Sequence, residues 1–348
     1  MSHPPLIELT DRGMYCAAGD FYIDPRRPVP RAVLTHAQSD HSRPGHGRAI
    51  VALDGERVFR SRLGERAPLE PVAYGEAVTI DGVRVSLHPA GHILGSAQVR
   101  VEYRGEVWVA SGDYKTVPDP TCAAFESVRC HHFITEATFG LPVYRWPSQR
   151  AVFDDVNAWW RANREAGRES VVLAYSLGKA QRVLAGVDPS IGPIVTHAAV
   201  ERLVQDYRDS GVAMPQTECV AEDADQLNEL SLAGALVVAP PSVPGSAWLK
   251  RFGDASTAFM SGWMLIRGAR RRRSFDRGFP ISDHADWDEL LAAIAATEAE
   301  TVWVTHGSSD VLVRWLREQG TDARTLERTP RGENAENEVG VPASESQT

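Results

Sequence analysis

The sequence predicts an α/β protein in which one unit is interrupted by a smaller one. Short apolar runs parted by Gly, Pro and Asp turns fill the N-terminal portion, and strands alternate with helices in the middle,. Residue types suited to one metal site lie on both sides of that middle block, His36 to Asp113 before it and His306 after it. The first unit must therefore be discontinuous.

Its strands read as Met14 to Cys16, Phe21 to Ile23, Ala32 to Leu34, Val78 to Ile80 and Val83 to Leu87, a mostly antiparallel sheet with loops at the strand ends,. From about Phe153 an amphipathic helix carrying Val156, Trp159 and Trp160 leads to the strand Val171 to Tyr175,. Pro193 to Thr196, Leu236 to Ala239 and Ala258 to Met260 follow as strands, with a helix from Ala199 to Asp209 among them, and together they suggest parallel pairing,. Helix Trp287 to Ala296, strand Thr301 to Val304 and helix Asp310 to Glu318 rejoin the first unit. The expected boundaries are 1–168 and 280–328 for the split unit, 169–279 for the insertion and 329–348 for a polar, disordered tail,.

A chain of 348 residues with 43% hydrophobic content can fill two cores,. It begins without a basic-then-apolar leader and holds no apolar run of membrane length, so a cytoplasmic protein with no membrane partner is expected,. Cys16, Cys122, Cys130 and Cys219 lack CxxC spacing and read as reduced packing residues,. The net charge of −9 excludes a generally basic coat, yet Arg267, Arg270, Arg271, Arg272 and Arg273 concentrate positive charge shortly before His284,. Such a run is either a solvated face or a phosphate contact.

The chemistry sits in His36-Ala37-Gln38-Ser39-Asp40-His41, directly after Ala32-Val33-Leu34. Three or four ligands within six residues at a strand end converge on one point. His92 in Pro89-Ala-Gly-His92-Ile-Leu-Gly-Ser96, Asp113 in Ser111-Gly-Asp113-Tyr114, His284 in Ser282-Asp-His284-Ala-Asp286 and His306 in Val304-Thr-His306-Gly307 all occupy similar turns. With Thr135-Glu136-Ala-Thr-Phe-Gly140, Ala174-Tyr-Ser-Leu-Gly-Lys-Ala-Gln-Arg182 and Ser261-Gly-Trp-Met264, these segments resemble the metallo-β-lactamase-fold nucleases with a β-CASP insertion, from about Gly13 to Gly320. The likeness is nearest to bacterial ligase-associated DNA exonucleases, which also look like RNA 3′-end processing factors.

That resemblance implies a metallo-β-lactamase αββα sandwich with an inserted smaller α/β β-CASP domain. It implies two divalent ions, zinc or manganese, the first held by His36, position 38, His92 and Asp113, the second by Asp40, His41, Asp113 and His306,. A shared carboxylate holds such ions roughly 3.5–4 Å apart, and a metal lowers the pKa of its bound water to about 7, which supplies the nucleophile. Asp40, His284 and Glu136 are the catalytic candidates, His284 as proton donor oriented by Glu136,. Ser176, Lys179, Arg182, Arg267, Arg270 and Arg271 are the candidate substrate contacts,. The implied partners are nucleic acid, DNA ahead of RNA, and a functional link to a DNA ligase and helicase.

Gln38 departs from the family, which has histidine there. A neutral amide oxygen is a poor replacement for imidazole on zinc, so weaker binding at the first site is expected,. A variant active with one tightly held ion, a silenced enzyme and a nucleic-acid binder that does not cut all fit that residue.

Competing readings are more ordinary. His3, His46, His131, His132 and His197 suit structural roles, and so does His88, because Pro89 and Gly91 preclude a helical ligand pair with His92. Consecutive Ser282, Asp283 and His284 cannot form a hydrolase triad, and Gly178-Lys179 lacks the spacing of a phosphate-binding loop,. Trp159 and Trp160 read as packing, and Trp263 either as packing or as a base-stacking residue,. An RNA-processing nuclease of the same fold is the nearest alternative function. A thioester or lactam hydrolase would leave the insertion and His284 without a role.

Overall fold

The computed structural model describes residues 5–220, 234–266 and 275–326. Six short strands make a first sheet in chain order: β1 (Glu8–Thr10), β2 (Gly13–Cys16), β3 (Phe21–Ile23), β4 (Arg31–Val33), β5 (Arg48–Ala52) and β6 (Leu69–Val72). The chain then lays down β7 (Ala77–Ile80), β8 (Val83–Pro89), β9 (Ala97–Tyr103), β10 (Glu106–Ala110) and β11 (His132–Glu136) side by side in a second sheet. Past helix α1 (Glu56–Leu63), which lies between β5 and β6, and helix α2 (Gln149–Glu165) it leaves for a third sheet, formed by β12 (Ser170–Leu173), β13 (Ile194–His197), β14 (Glu218–Val220), β15 (Leu236–Ala239), β16 (Ser256–Met260) and β17 (Arg277–Phe279), with helices α3 (Lys179–Gly186), α4 (Ala198–Asp209) and α5 (Ala247–Lys250) among them. It returns through α6 (Trp287–Ala296) as β18 (Thr301–Thr305), which pairs with β11, and after α7 (Ser309–Glu318) ends on the edge strand β19 (Asp322–Thr325).

The expectation of a mostly antiparallel first unit is half right. β1 to β3 and β7 to β10 pair antiparallel, but β3 to β6 run parallel, as do β10, β11, β18 and β19. Apolar alternation reports which face is buried and not the direction of the neighbour, so the sequence could not distinguish the two. The third sheet is parallel throughout, and β12 and β15 are buried on both faces, as the runs Val171-Val172-Leu173 and Leu236-Val237-Val238 require,.

One apolar cluster takes side chains from both of the first two sheets, including Phe21, Val33 and Ile50 from one and Val85, Val99 and Trp108 from the other. Another packs α6 and α7 on the second sheet through Trp287, Leu312 and Phe133. The helix expected from Phe153 begins earlier, because Ser148 accepts a hydrogen bond from the Ala151 amide and caps α2 there; Trp159 and Trp160 are buried as expected,. Cys219 is exposed, against its expected place in the packing, whereas Cys16 and Cys130 are buried and all four thiols are free. The proposed tail and Arg267 to Arg273 lie outside the described residues. Among the described residues, no helix is long and apolar enough to cross a membrane.

Candidate metal centre

The loops after β4, β8, β10 and β18, the last residue of β11 and the segment entering α6 carry the residues singled out in the sequence. Two glycines let the backbone close around them. Gly91 (φ 71°) would place a Cβ 2.2 Å from the Lys115 carbonyl oxygen, and Gly112 (φ 58°) would place one 2.7 Å from Thr35 Cβ, so neither His92 nor Asp113 could hold its position beside a larger residue,. The potential ligand atoms of His36, His92 and Asp113 lie within 4.8 Å of one another, as do those of His36, Asp40 and His41, and those of Asp113, Glu136 and His284.

Hydrogen bonding fixes which nitrogen each imidazole offers. His36 meets the Thr35 hydroxyl through Nδ1 at 3.0 Å, and that hydroxyl donates to Asp24 Oδ2 at 2.6 Å. His41 Nδ1 donates to the same Asp24 oxygen at 2.8 Å, and His92 Nδ1 donates to the Asp283 carbonyl at 2.8 Å. In all three rings the outer nitrogen is committed and Nε2 turns inward, the arrangement of metal-ligating histidine. His36 Nε2 is buried with no hydrogen-bond partner, 3.6 Å from Asp113 Oδ2, and His41 Nε2 is 3.5 Å from that same oxygen. An orphaned lone pair beside a buried carboxylate suits a cation, so these residues fit the ions that the sequence implies.

Gln38 is part of the same surface. The Leu177 carbonyl can only accept, so it takes the Gln38 Nε2–H at 3.2 Å and turns Oε1 to within 3.1 Å of His92 Nε2,. Two acceptor atoms facing each other at that distance would suit a shared cation. Asp40 is more open, with a side chain 72% exposed and 3.8 Å from His41 Nε2. His306 stands outside these ligand groups; its ring is 5.6 Å from that of His41, and it lines a small cavity with Asp24, Asp40 and His41.

Electrostatics follow from burial. Burial pushes the Asp113 carboxyl up to about 7 against the pull of His41, and burial with the neighbouring imidazoles drives His36 well below the usual histidine range,. Burial also depresses His41, but Asp113, Asp24 and Asp40 overcome it and raise that imidazole to about 10. His92, buried and facing His284, falls to about 4.

A second pair flanks this cluster. His284 Nδ1 lies 3.1 and 3.0 Å from the two Glu136 oxygens, and Glu136 Oε1 also accepts the Tyr114 amide at 2.8 Å. Burial disfavours both charges, yet their attraction prevails: Glu136 falls to about 2 and His284 rises to about 9,.

Lys179 and Arg182, expected at the substrate backbone, are buried instead. Lys179 Nζ is 3.0 Å from Asp283 Oδ1, while Arg182 pairs with Asp119 Oδ2 at 3.0 Å and donates to the His92 carbonyl at 3.2 Å. They start the inserted helix α3 (Lys179–Gly186) and tie it to the segments bearing His92 and His284, which leaves neither cation open to a phosphate. Ser176 is half-buried, and Arg267, Arg270 and Arg271 lie outside the described residues. His88 pairs with Glu126 and Ser86, away from the ligand groups. Asp24, Asp283 and the Leu177 carbonyl were missed by sequence reasoning. Only Asp283 carried a signal, as the neighbour of His284; a backbone carbonyl has no side-chain signature, and nothing marks Asp24 until β3 pairs with β4.

No family model matches the chain. A probable DNA ligase of Opitutus terrae is 30% identical over 339 residues, which cover 96% of this chain and 32% of that protein. The endoribonuclease YSH1 of Gibberella zeae is 30% identical over 163 residues, 45% of this chain and 19% of that one, and the DNA cross-link repair protein SNM1 of Arabidopsis thaliana is 22% identical over 287 residues, 74% and 57%. The chain thus spans about a third of the ligase and little more than half of the repair protein. A crystal structure of a protein of unknown function from Enterococcus faecalis V583 shares the fold, with a TM-score of 0.58 at 14% identity over 89% of this chain and 81% of that one. The ordered motifs and these relatives match the metallo-β-lactamase β-CASP nucleases that the sequence resembles.

Proposed function

We propose that the chain is a metal-dependent phosphodiesterase that trims DNA from an end during repair. The observation that carries this reading is the convergence of His36 and His41 Nε2 on Asp113 Oδ2, with His92 in the same ligand group, beside the Glu136–His284 pair. His36, Gln38, His92 and Asp113 would hold one ion and Asp40, His41, Asp113 and His306 the other. Bound there, divalent ions supply Lewis acidity and a more acidic water. His284 holds a proton at neutral pH because Glu136 stabilises its cation, and it gives that proton to the departing sugar oxygen,. Glu136 fixes the ring through Nδ1, and Asp24 fixes His41,.

The domain reading rests on topology: residues 169–279 contain every strand of the third sheet, and 280–328 return to the second, as an inserted β-CASP domain within a metallo-β-lactamase sandwich would. DNA is favoured over RNA because the likeness to the ligase covers nearly the whole chain, whereas that to the endoribonuclease covers under half. The same likeness supports a functional link to a ligase; the link to a helicase rests on the family resemblance alone. DNA and RNA strands of one sequence, labelled at either end and incubated with manganese or zinc, test the reading. Progressive shortening of DNA alone is the expected result; cleavage of RNA alone would assign the chain to RNA processing, and turnover of neither would make it a binding protein.

Gln38 motivates a separate measurement. Gln38→His should raise the tightly held metal from about one ion per chain toward two, with equal or higher turnover, by elemental analysis of the purified protein. Unchanged metal content would remove position 38 from the ligand set.

A further inference from the structure

Among the described residues, six large apolar or aromatic side chains remain exposed, and only two are aromatic: Trp263 at 45% and Tyr175 at 43%. Trp263 lies one side chain away from His284 and Tyr175 two. Trp263 packs on Phe139 with ring centroids 4.9 Å apart, and Phe139 stands 6.0 Å from the His284 ring. Tyr175 carries Lys179 Nζ 5.0 Å from its ring, and Lys179 pairs with Asp283, whose Oδ1 is 3.9 Å from His284 Nε2.

Trp263 is held from beneath. Phe139, Tyr144 and Trp146 form a pile of edge and tilted contacts, and Trp146 donates to the His284 carbonyl at 3.0 Å. Gly262 lies against that pile so closely that a Cβ would fall 2.6 Å from Phe139 and 2.7 Å from Trp146. The exposed indole is thus the end of an ordered aromatic stack. Four residues beyond it the sequence reaches Arg267 and its run of arginines, a charge complement for a polyanion,.

We propose that Trp263 and Tyr175 are stacking subsites for unpaired bases on either side of the phosphate being cut, so that the chain takes single-stranded ends. This rests on the nuclease reading above. Only unpaired bases present faces to an aromatic side chain, and stacking tolerates any sequence, as a trimming enzyme needs. Two separated platforms favour a strand threading past His284 over a duplex lying beside it.

The test compares wild type with Trp263→Ala, Trp263→Phe and Tyr175→Ala, using a single-stranded DNA oligonucleotide, the same oligonucleotide with abasic residues, and a 2-aminopurine reporter of stacking. Wild type should prefer the strand with bases and quench the reporter. Each alanine variant should lose about 5- to 100-fold in affinity for that strand and little for the abasic one, while Trp263→Phe keeps part of the difference. Metal content and thermal unfolding, measured on every variant, identify any that has lost its fold, and Tyr175→Ala, away from the aromatic pile, provides an independent arm. Equal affinity for the two strands in wild type, or alanine variants that bind like wild type, would overturn the proposal. So would wild-type self-association abolished by Trp263→Ala without change in DNA binding. Base-dependent binding without cleavage would defeat the nuclease reading and leave the subsites standing.

Discussion

Asp113→Ala is expected to remove turnover more completely than loss of any terminal ligand, by about 10³-fold or more. Charge stabilisation by bound ions is worth several kcal/mol, and each ~1.4 kcal/mol is tenfold in rate. The structural reason is that one oxygen, Asp113 Oδ2, lies 3.6 Å from His36 Nε2 and 3.5 Å from His41 Nε2, so a single carboxylate faces both proposed ligand sets. Removing it should empty both positions, and elemental analysis alongside turnover would record the two losses together. Near wild-type activity in that variant would end the dinuclear assignment.

His284→Ala should cut the chemical step by roughly 10²–10⁴-fold, the usual worth of a general acid, while metal content and substrate affinity stay close to wild type. It pairs with both oxygens of the Glu136 carboxylate, which holds the imidazole cationic at neutral pH and argues for a proton-holding role over a ligating one. A nitrophenyl phosphodiester has a leaving group that needs little protonation and should be spared much of the loss. If the variant instead loses an ion, His284 is a ligand, and the proposed division of labour with His306 is wrong.

The ligand types were legible because imidazole and carboxylate at strand ends are rare in combination, and Gln38 was visible as the exception within its loop. What sequence could not convey was orientation. Lys179 and Arg182 begin a helix and read equally well as phosphate contacts, but α3 lies over the His92 loop and turns both cations inward to Asp283 and Asp119. Asp24 likewise gains meaning only when β3 aligns with β4 and brings its carboxylate to Thr35 and His41. The edge strands β14, β17 and β19 were missed, and so were β1, β5, β6, β9 and β11; length alone does not explain this, since β9 has seven residues and the three-residue β3 and β4 were read. Trp263, read either as packing or as a stacking residue, is nearly half exposed because Phe139 and Tyr144 support only part of the indole.

The pairing of β11 with β18 joins Glu136 to Thr305 across the whole inserted sheet. During synthesis, β11 therefore waits as an unpaired edge until some 165 further residues have left the ribosome, and such distant pairing makes closure a late, slow event,. His284 and His306 emerge only in that final stretch. A nascent chain that has not reached β18 thus carries the His36 loop without His284 and His306 docked beside it, so the candidate site is assembled only after the last strands pair.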